Sequence, residues 1–121
     1  MREYVPFSAL LGLTFASVVS ESYKVIFTHV DGRVFTLEHT QDCYEHVYVE
    51  SIVGELSDLE NSPILRADEE TQDDPDTEYG GIGMWTFYKL ATRNGYVDIR
   101  FYGSSNGYYG VGVDLYVDIP E

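Results

Sequence analysis

Basic residues are scarce in this chain: 7 Lys and Arg stand against 21 Asp and Glu, a formal charge of −14 at pH 7. That balance excludes an ordinary binder of phosphate backbones, which relies on Lys and Arg to displace counterions. It argues equally against docking on an anionic membrane surface. Cysteine is rarer still. The single thiol, Cys43, excludes an internal disulfide framework and accords with a reducing compartment. There is no apolar run of the roughly 20 residues needed to span a bilayer. The apolar-leaning stretch at residues 5–19 is interrupted by Pro6, Ser8, Gly12, Thr14 and Ser17, and Glu3 offsets Arg2. Those breaks also make it a poor signal peptide. Repeats, heptads and low-complexity tracts are missing as well.

What the chain does have is apolar and aromatic mass: 44% hydrophobic residues, including 11 Tyr, 6 Phe and 1 Trp among 121 residues. That content excludes a disordered acidic tail. It suits one domain, residues 1–121, that buries roughly 65% of its unfolded surface. Two hairpins are predicted. Residues 23–30 and 33–39 flank Asp31 and Gly32, and residues 84–92 and 96–103 flank Asn94 and Gly95. Both pairs suit a two-residue turn with positive φ. In those registers Ile26 faces Leu37, Thr28 faces Phe35, Leu90 faces Ile99, and Lys89 faces Arg100 near Asp98. Further strands are expected at residues 46–53, 62–67 and 111–118, with another at 13–20 after a single helical turn over residues 7–11. Leu56 and Leu59, three apart, indicate a second short helix closed before Pro63. The expected fold is α+β and predominantly β: one antiparallel sheet of about seven to eight strands over a small core, with one or two short helices.

Three segments carry candidate chemistry. His39, Asp42, Cys43, Glu45 and His46 gather two imidazoles, two carboxylates and the only thiol. A thiolate beside an imidazolium is an activated nucleophile, and these are also zinc-ligand types. The spacing matches no metal or protease motif, so no metal or cofactor is assigned. A polar turn with a packed Cys43 accounts for the same residues. Next comes a run of acids with no base: Asp68, Glu69, Glu70, Asp73, Asp74, Asp76 and Glu78. It is not an EF-hand, because Tyr79 and Trp85 stand where the loop needs Gly and Glu. It reads as a solvated loop over residues 68–83. Last, the glycine-rich tract 103–112 lacks the Lys-Ser/Thr of a phosphate loop and leads into a strand. Its Tyr108 and Tyr109 offer rigid contact area for a protein partner.

A string of motifs runs through the chain: Gln41, Asp42, Cys43, Glu45 and Val47; Ile52, Gly54, Leu56, Asp58 and Leu59; Ser62 to Leu65 and Ala67. It continues through Trp85 to Lys89, Ala91 and Thr92, then Gly95, Val97, Ile99 and Arg100, and ends in Ser105 to Tyr109. Over residues 10–115 this string resembles a family of small phage and prophage proteins classed as a domain of unknown function. The resemblance implies a phage-encoded accessory protein of the host cytoplasm and transfers no catalytic residue. Family members carry a Cys-Cys pair where this chain has Cys43 and Tyr44, which implies no two-thiol role here.

Charge sharpens the expectation. Residues 42–78 hold thirteen acids and only Arg66, whereas the flanks on either side are nearly neutral. A solubility role does not need such concentration. The expected function is a non-enzymatic, anti-defence inhibitor that covers a basic surface of a host protein, such as a nucleic-acid-binding defence nuclease, by imitating duplex charge. The alternatives are a Cys43-centred enzyme using His39 or His46, and a virion or assembly component.

Overall fold

Strand after strand in this chain alternates apolar with polar residues, a period of two that sends one set inward and the other to water. The computed structural model describes residues 2–40, 45–75, 81–105 and 111–119. Within them it forms β1 (Arg2–Val5), β2 (Phe15–Ser20), β3 (Lys24–His29), β4 (Val34–Glu38), β5 (Glu45–Val53), β6 (Arg66–Asp74), β7 (Ile82–Thr92), β8 (Gly95–Ser105) and β9 (Asp114–Asp118). These make two antiparallel sheets, ordered β1-β9-β4-β3-β2 and β5-β8-β7-β6. The expected single sheet is therefore corrected to two, and the α component shrinks to two 3₁₀ turns among the described residues, Phe7–Leu10 and Leu56–Leu59. Neither stretch is long enough to overcome the cost of nucleating an α-helix. Among the described residues no helix is long and apolar enough to cross a membrane.

The inward sets of both sheets meet in one core. Phe15, Val25, Phe27, Phe35, Leu37 and Leu115 come from the first sheet, and Val47, Tyr88, Leu90, Val97, Ile99 and Phe101 from the second. Phe15 sits 5.4 Å from Phe27 and 5.7 Å from Phe35, and Phe7 closes the other side, 4.5 Å from Tyr88. Each such fully buried apolar side chain contributes on the order of 1.5–3 kcal/mol. Tyr88 keeps its hydroxyl satisfied by donating to the Val113 carbonyl at 3.3 Å.

Both hairpin registers differ from expectation. In the first, Val25 faces Leu37 and Phe27 faces Phe35, one residue away from the predicted pairing. The cause is a three-residue turn. His29 N–H donates to the Arg33 carbonyl (2.8 Å), Gly32 N–H donates to the His29 carbonyl (2.9 Å), and Gly32 adopts φ +98°. Such a turn with a glycine bulge shifts the pairing by one, and a one-residue shift exchanges the faces. Asp31 holds the turn by accepting the Arg33 N–H at 2.9 Å and its Nε at 2.8 Å, and these bonds lower its pKa to about 2.

In the second hairpin the turn is Arg93–Asn94, not Asn94–Gly95. Thr92 pairs with Gly95, Leu90 with Val97, and Lys89 with Asp98 rather than Arg100. This two-residue displacement leaves the faces as expected. Tertiary contacts select it. The Thr92 hydroxyl donates to the Asp58 carbonyl and accepts the Asn94 N–H at 3.1 Å, while the Asn94 amide donates to Ser62 at 2.9 Å. A Cβ at Gly95 would lie 2.7 Å from the Asp58 carboxylate, so a side chain there would displace it.

Two other glycines separate backbone strain from steric clash. Gly12 (φ +80°) has open space around its missing Cβ, whereas at Gly54 (φ +102°) a Cβ would lie 2.4 Å from the Tyr96 carbonyl oxygen. Gly12→Ala is expected to cost about 1 kcal/mol of stability from strain, and Gly54→Ala upwards of ~2 kcal/mol. Urea unfolding of the two variants measures the difference; equal losses would contradict the close approach at Gly54.

Candidate functional site

From Asp68 to Asp74 the acidic run is a strand and not a loop. It belongs to β6, a nine-residue strand, Arg66–Asp74, that among the described strands pairs with β7 at the end of the second sheet. Its composition argues against a strand, since Asp and Glu have poor β propensity. The pairing with β7 overrides that preference. In register, Asp68 faces Lys89, Glu70 faces Phe87, Gln72 faces Trp85 and Asp74 faces Gly83. Glu69 and Asp73 lie on the other side, opposite Tyr88 and Met84. Alternation therefore divides the carboxylates between the two faces of the sheet, with Asp68, Glu70 and Asp74 on the one turned away from the core.

That outer face can be read row by row. One row runs Tyr48, Tyr102, Trp85, Gln72 across β5, β8, β7 and β6. The next runs Ser51, Arg100, Phe87, Glu70, and the third Val53, Asp98, Lys89, Asp68. The aromatic rings touch in sequence: Trp85 to Tyr102 at 4.3 Å, Tyr102 to Tyr48 at 6.2 Å, Tyr48 to His46 at 4.9 Å and His46 to Tyr23 at 5.9 Å. Arg100 lies over the Trp85 ring, 4.9 Å from its centroid. A bulge in β5 leaves Glu50 without a β8 partner, and its carboxylate accepts from Arg100 Nε at 2.5 Å. That bond holds the Glu50 carboxyl below its ordinary pKa. Beside the array lies an open recess of about 210 Å³, lined by Val53, Phe87, Lys89, Asp98 and Arg100 among others.

Asp74 joins the acidic border to the aromatic centre. Its carboxylate accepts a hydrogen bond of 2.6 Å from the Tyr102 hydroxyl. This donation, followed by partial burial, pushes the Tyr102 phenol up to about 12.

The predicted site residues fall in several places. Asp68, Glu69, Glu70, Asp73 and Asp74 belong to β6, whereas Cys43, Asp76, Glu78, Tyr108 and Tyr109 lie outside the described residues. His46 stands on the outer face of the second sheet, while His39 follows β4 of the first sheet and its Nδ1 lies 2.5 Å from the Gly112 carbonyl. Among the described residues no group of three His, Cys, Asp or Glu is arranged to hold a metal ion. Sequence reasoning missed the array of Tyr48, Phe87 and Tyr102 around Trp85. Its signal was present: β7 is apolar on both parities, with Met84, Tyr88 and Leu90 turned to the core and Trp85 and Phe87 turned away from it.

A model of a family described as a domain of unknown function, DUF7448, matches residues 8–115. The chain belongs to that family. The matched span takes in all four strands of the second sheet, so the aromatic and acidic face lies within the family's domain. No curated protein and no solved structure matches the chain.

The link between Asp74 and Tyr102 is directly measurable. In an ultraviolet titration, the difference between the wild-type protein and a Tyr102→Phe variant should show a phenol ionising near pH 12. Asp74→Asn should bring it back toward the ordinary value of about 10. Because the folded pKa is raised, the bond's contribution to stability is complete below about pH 10 and is lost as pH rises through about 12. An unchanged phenol in Asp74→Asn would show that the carboxylate does not hold it.

Proposed function

We propose that this protein is a non-enzymatic phage accessory protein that inhibits a host protein by covering a basic surface with the outer face of its second sheet. One observation carries the reading: a contiguous set of half-buried rings (Trp85, Phe87, Tyr48, Tyr102) with Arg100 among them, bordered by Asp68, Glu70 and Asp74. Trp, Tyr and Arg at the centre and charge at the rim is the composition of binding hot spots. The core of the fold is already filled from the other face, so these rings are not required there. The acidic border favours a basic partner and speeds its approach. A host factor that holds nucleic acid, such as a defence nuclease, presents such a surface.

The test uses tagged protein and host lysate, with each captured partner quantified at low and high salt. Trp85→Ala should reduce the affinity for that partner ~30-fold at either salt, the usual scale of a central hot spot. The triple variant Asp68→Asn, Glu70→Gln, Asp74→Asn should reduce it at low salt and much less at high salt. Both variants should keep the wild-type melting temperature within a few degrees. If both capture the partner as the wild type does, the face is not the site.

A further inference from the structure

We propose that two copies of this chain pair face to face through the outer side of the first sheet, about a two-fold axis parallel to β4. This surface lies across the core from Trp85, and its pairing stands without the docking proposed there. The outward residues of the first sheet fall in three rows. The central row runs Val19, Ile26, Thr36, Tyr116, Tyr4 across β2, β3, β4, β9 and β1 and carries no charge. On one side of it lie Ser17, Thr28, Val34, Asp118 and Arg2, and on the other Lys24, Glu38 and Asp114. Two bases stand against three acids in these rows, so a chain of charge −14 presents a face of only −1 here. A second copy can approach this side without meeting the carboxylates of β6. Tyr4 and Val19, at opposite ends of the central row, are 66% and 50% exposed.

The face is uneven, and its shape selects the axis. On β9 and β1 it stands high: the Tyr4 and Tyr116 rings lie 6.3 Å apart, and the Arg2 guanidinium sits 4.1 Å above Tyr116. On β3 and β2 the outward side chains are short, namely Ile26, Thr28, Val19 and Ser17. A two-fold axis along the middle strand, β4, lays β1 over the partner's β2 and β9 over the partner's β3. The high half of each copy then fills the low half of the other. An axis across the strands would instead set ring on ring at Tyr4 and Tyr116 and leave a gap over Val19. Charge agrees with the first arrangement. It places Lys24 of β3 opposite Asp114 of the partner's β9, and symmetry repeats the pair. In its own chain the Lys24 ammonium lies 3.7 Å from the Glu21 carboxylate, a long contact. Its flexible stem spans the roughly 30° rotation between stacked sheets. Glu38 meets its copy near the axis, but each is already bonded to Arg2 of its own chain. Five strands about 4.8 Å apart give a footprint on the order of 400–600 Å² a side, so the dimer is weak and concentration-dependent.

Sedimentation velocity of the full chain, from about 10 μM to about 1 mM, covers the range in which so small an interface associates. The wild type should pass from monomer to dimer and stop there, because a closed two-fold contact leaves no site for a third copy. Lys24→Glu and Asp114→Lys should each stay monomeric, since either sets like charges together at both contacts. Mixed in equal amounts, the two variants should form a heterodimer with about wild-type affinity, because both contacts then join opposite charges. Val19→Arg, at an exposed position, should raise the dissociation constant ~10-fold or more and leave the melting temperature unchanged. Trp85→Ala should dimerise as the wild type does, which separates failure of this face from failure of the face around Trp85. The proposal is overturned if the wild type stays monomeric throughout, or if larger assemblies replace the dimer. It is also overturned if either charge variant dimerises alone, if their mixture stays monomeric, or if Trp85→Ala abolishes association.

Discussion

Pairing between β7 and β8 extends over eleven positions, from Ile82 with Ser105 to Thr92 with Gly95, and the rest of the second sheet is built on it. Its register is held from one side. Tyr88, Leu90, Val97, Ile99 and Phe101 are each almost fully buried, and a slip by one residue would expose all of them. With that set inside, Trp85, Phe87, Lys89, Asp98, Arg100 and Tyr102 must stand outside. The outer face is thus a consequence of core packing, and its composition is left free for another purpose.

The two edge strands then complete that face in different ways. β5 brings Tyr48 into line with Tyr102, and its bulge turns Glu50 toward Arg100. β6 brings a column of carboxylates, of which Asp74 is bonded to Tyr102 and Asp68 to Arg66. An exposed ion pair such as Arg66 with Asp68 contributes little to stability, about 0–1 kcal/mol. Stability comes from the shared core, so the charge concentrated in the middle of the chain is not needed to hold the fold. It matters for what approaches the protein. Like charges along an edge discourage pairing with another copy, and a border of carboxylates around aromatic rings favours a cationic surface.

Much of the fold was legible in the amino-acid sequence, because period-two alternation and the Asp31-Gly32 and Asn94-Gly95 signals mark both hairpins. Their registers were not. The first depends on a glycine bulge at Gly32, and the second on Asp58 and Ser62, which lie more than thirty residues from the turn they select. β6 was hidden for another reason: five acids in nine residues read as a loop until a partner strand with matching length is known. The short edge strand β1 carried too little pattern to register. For the site, the acids from Asp68 to Asp74 were legible as residues but not as an edge. The array around Trp85 was missed because its members come from three strands whose alignment no local signal reveals.

The central claim is that a partner sits on the outer face of the second sheet, and hydroxyl-radical footprinting of the captured complex tests it most directly. Trp85, Tyr48 and Tyr102 should be oxidised several-fold more slowly in the complex than in the free protein. Tyr4 and Tyr116, which pair on the first sheet with ring centroids 6.3 Å apart, should react as before. Protection of Tyr4 and Tyr116 with unchanged oxidation of Trp85 would contradict the account.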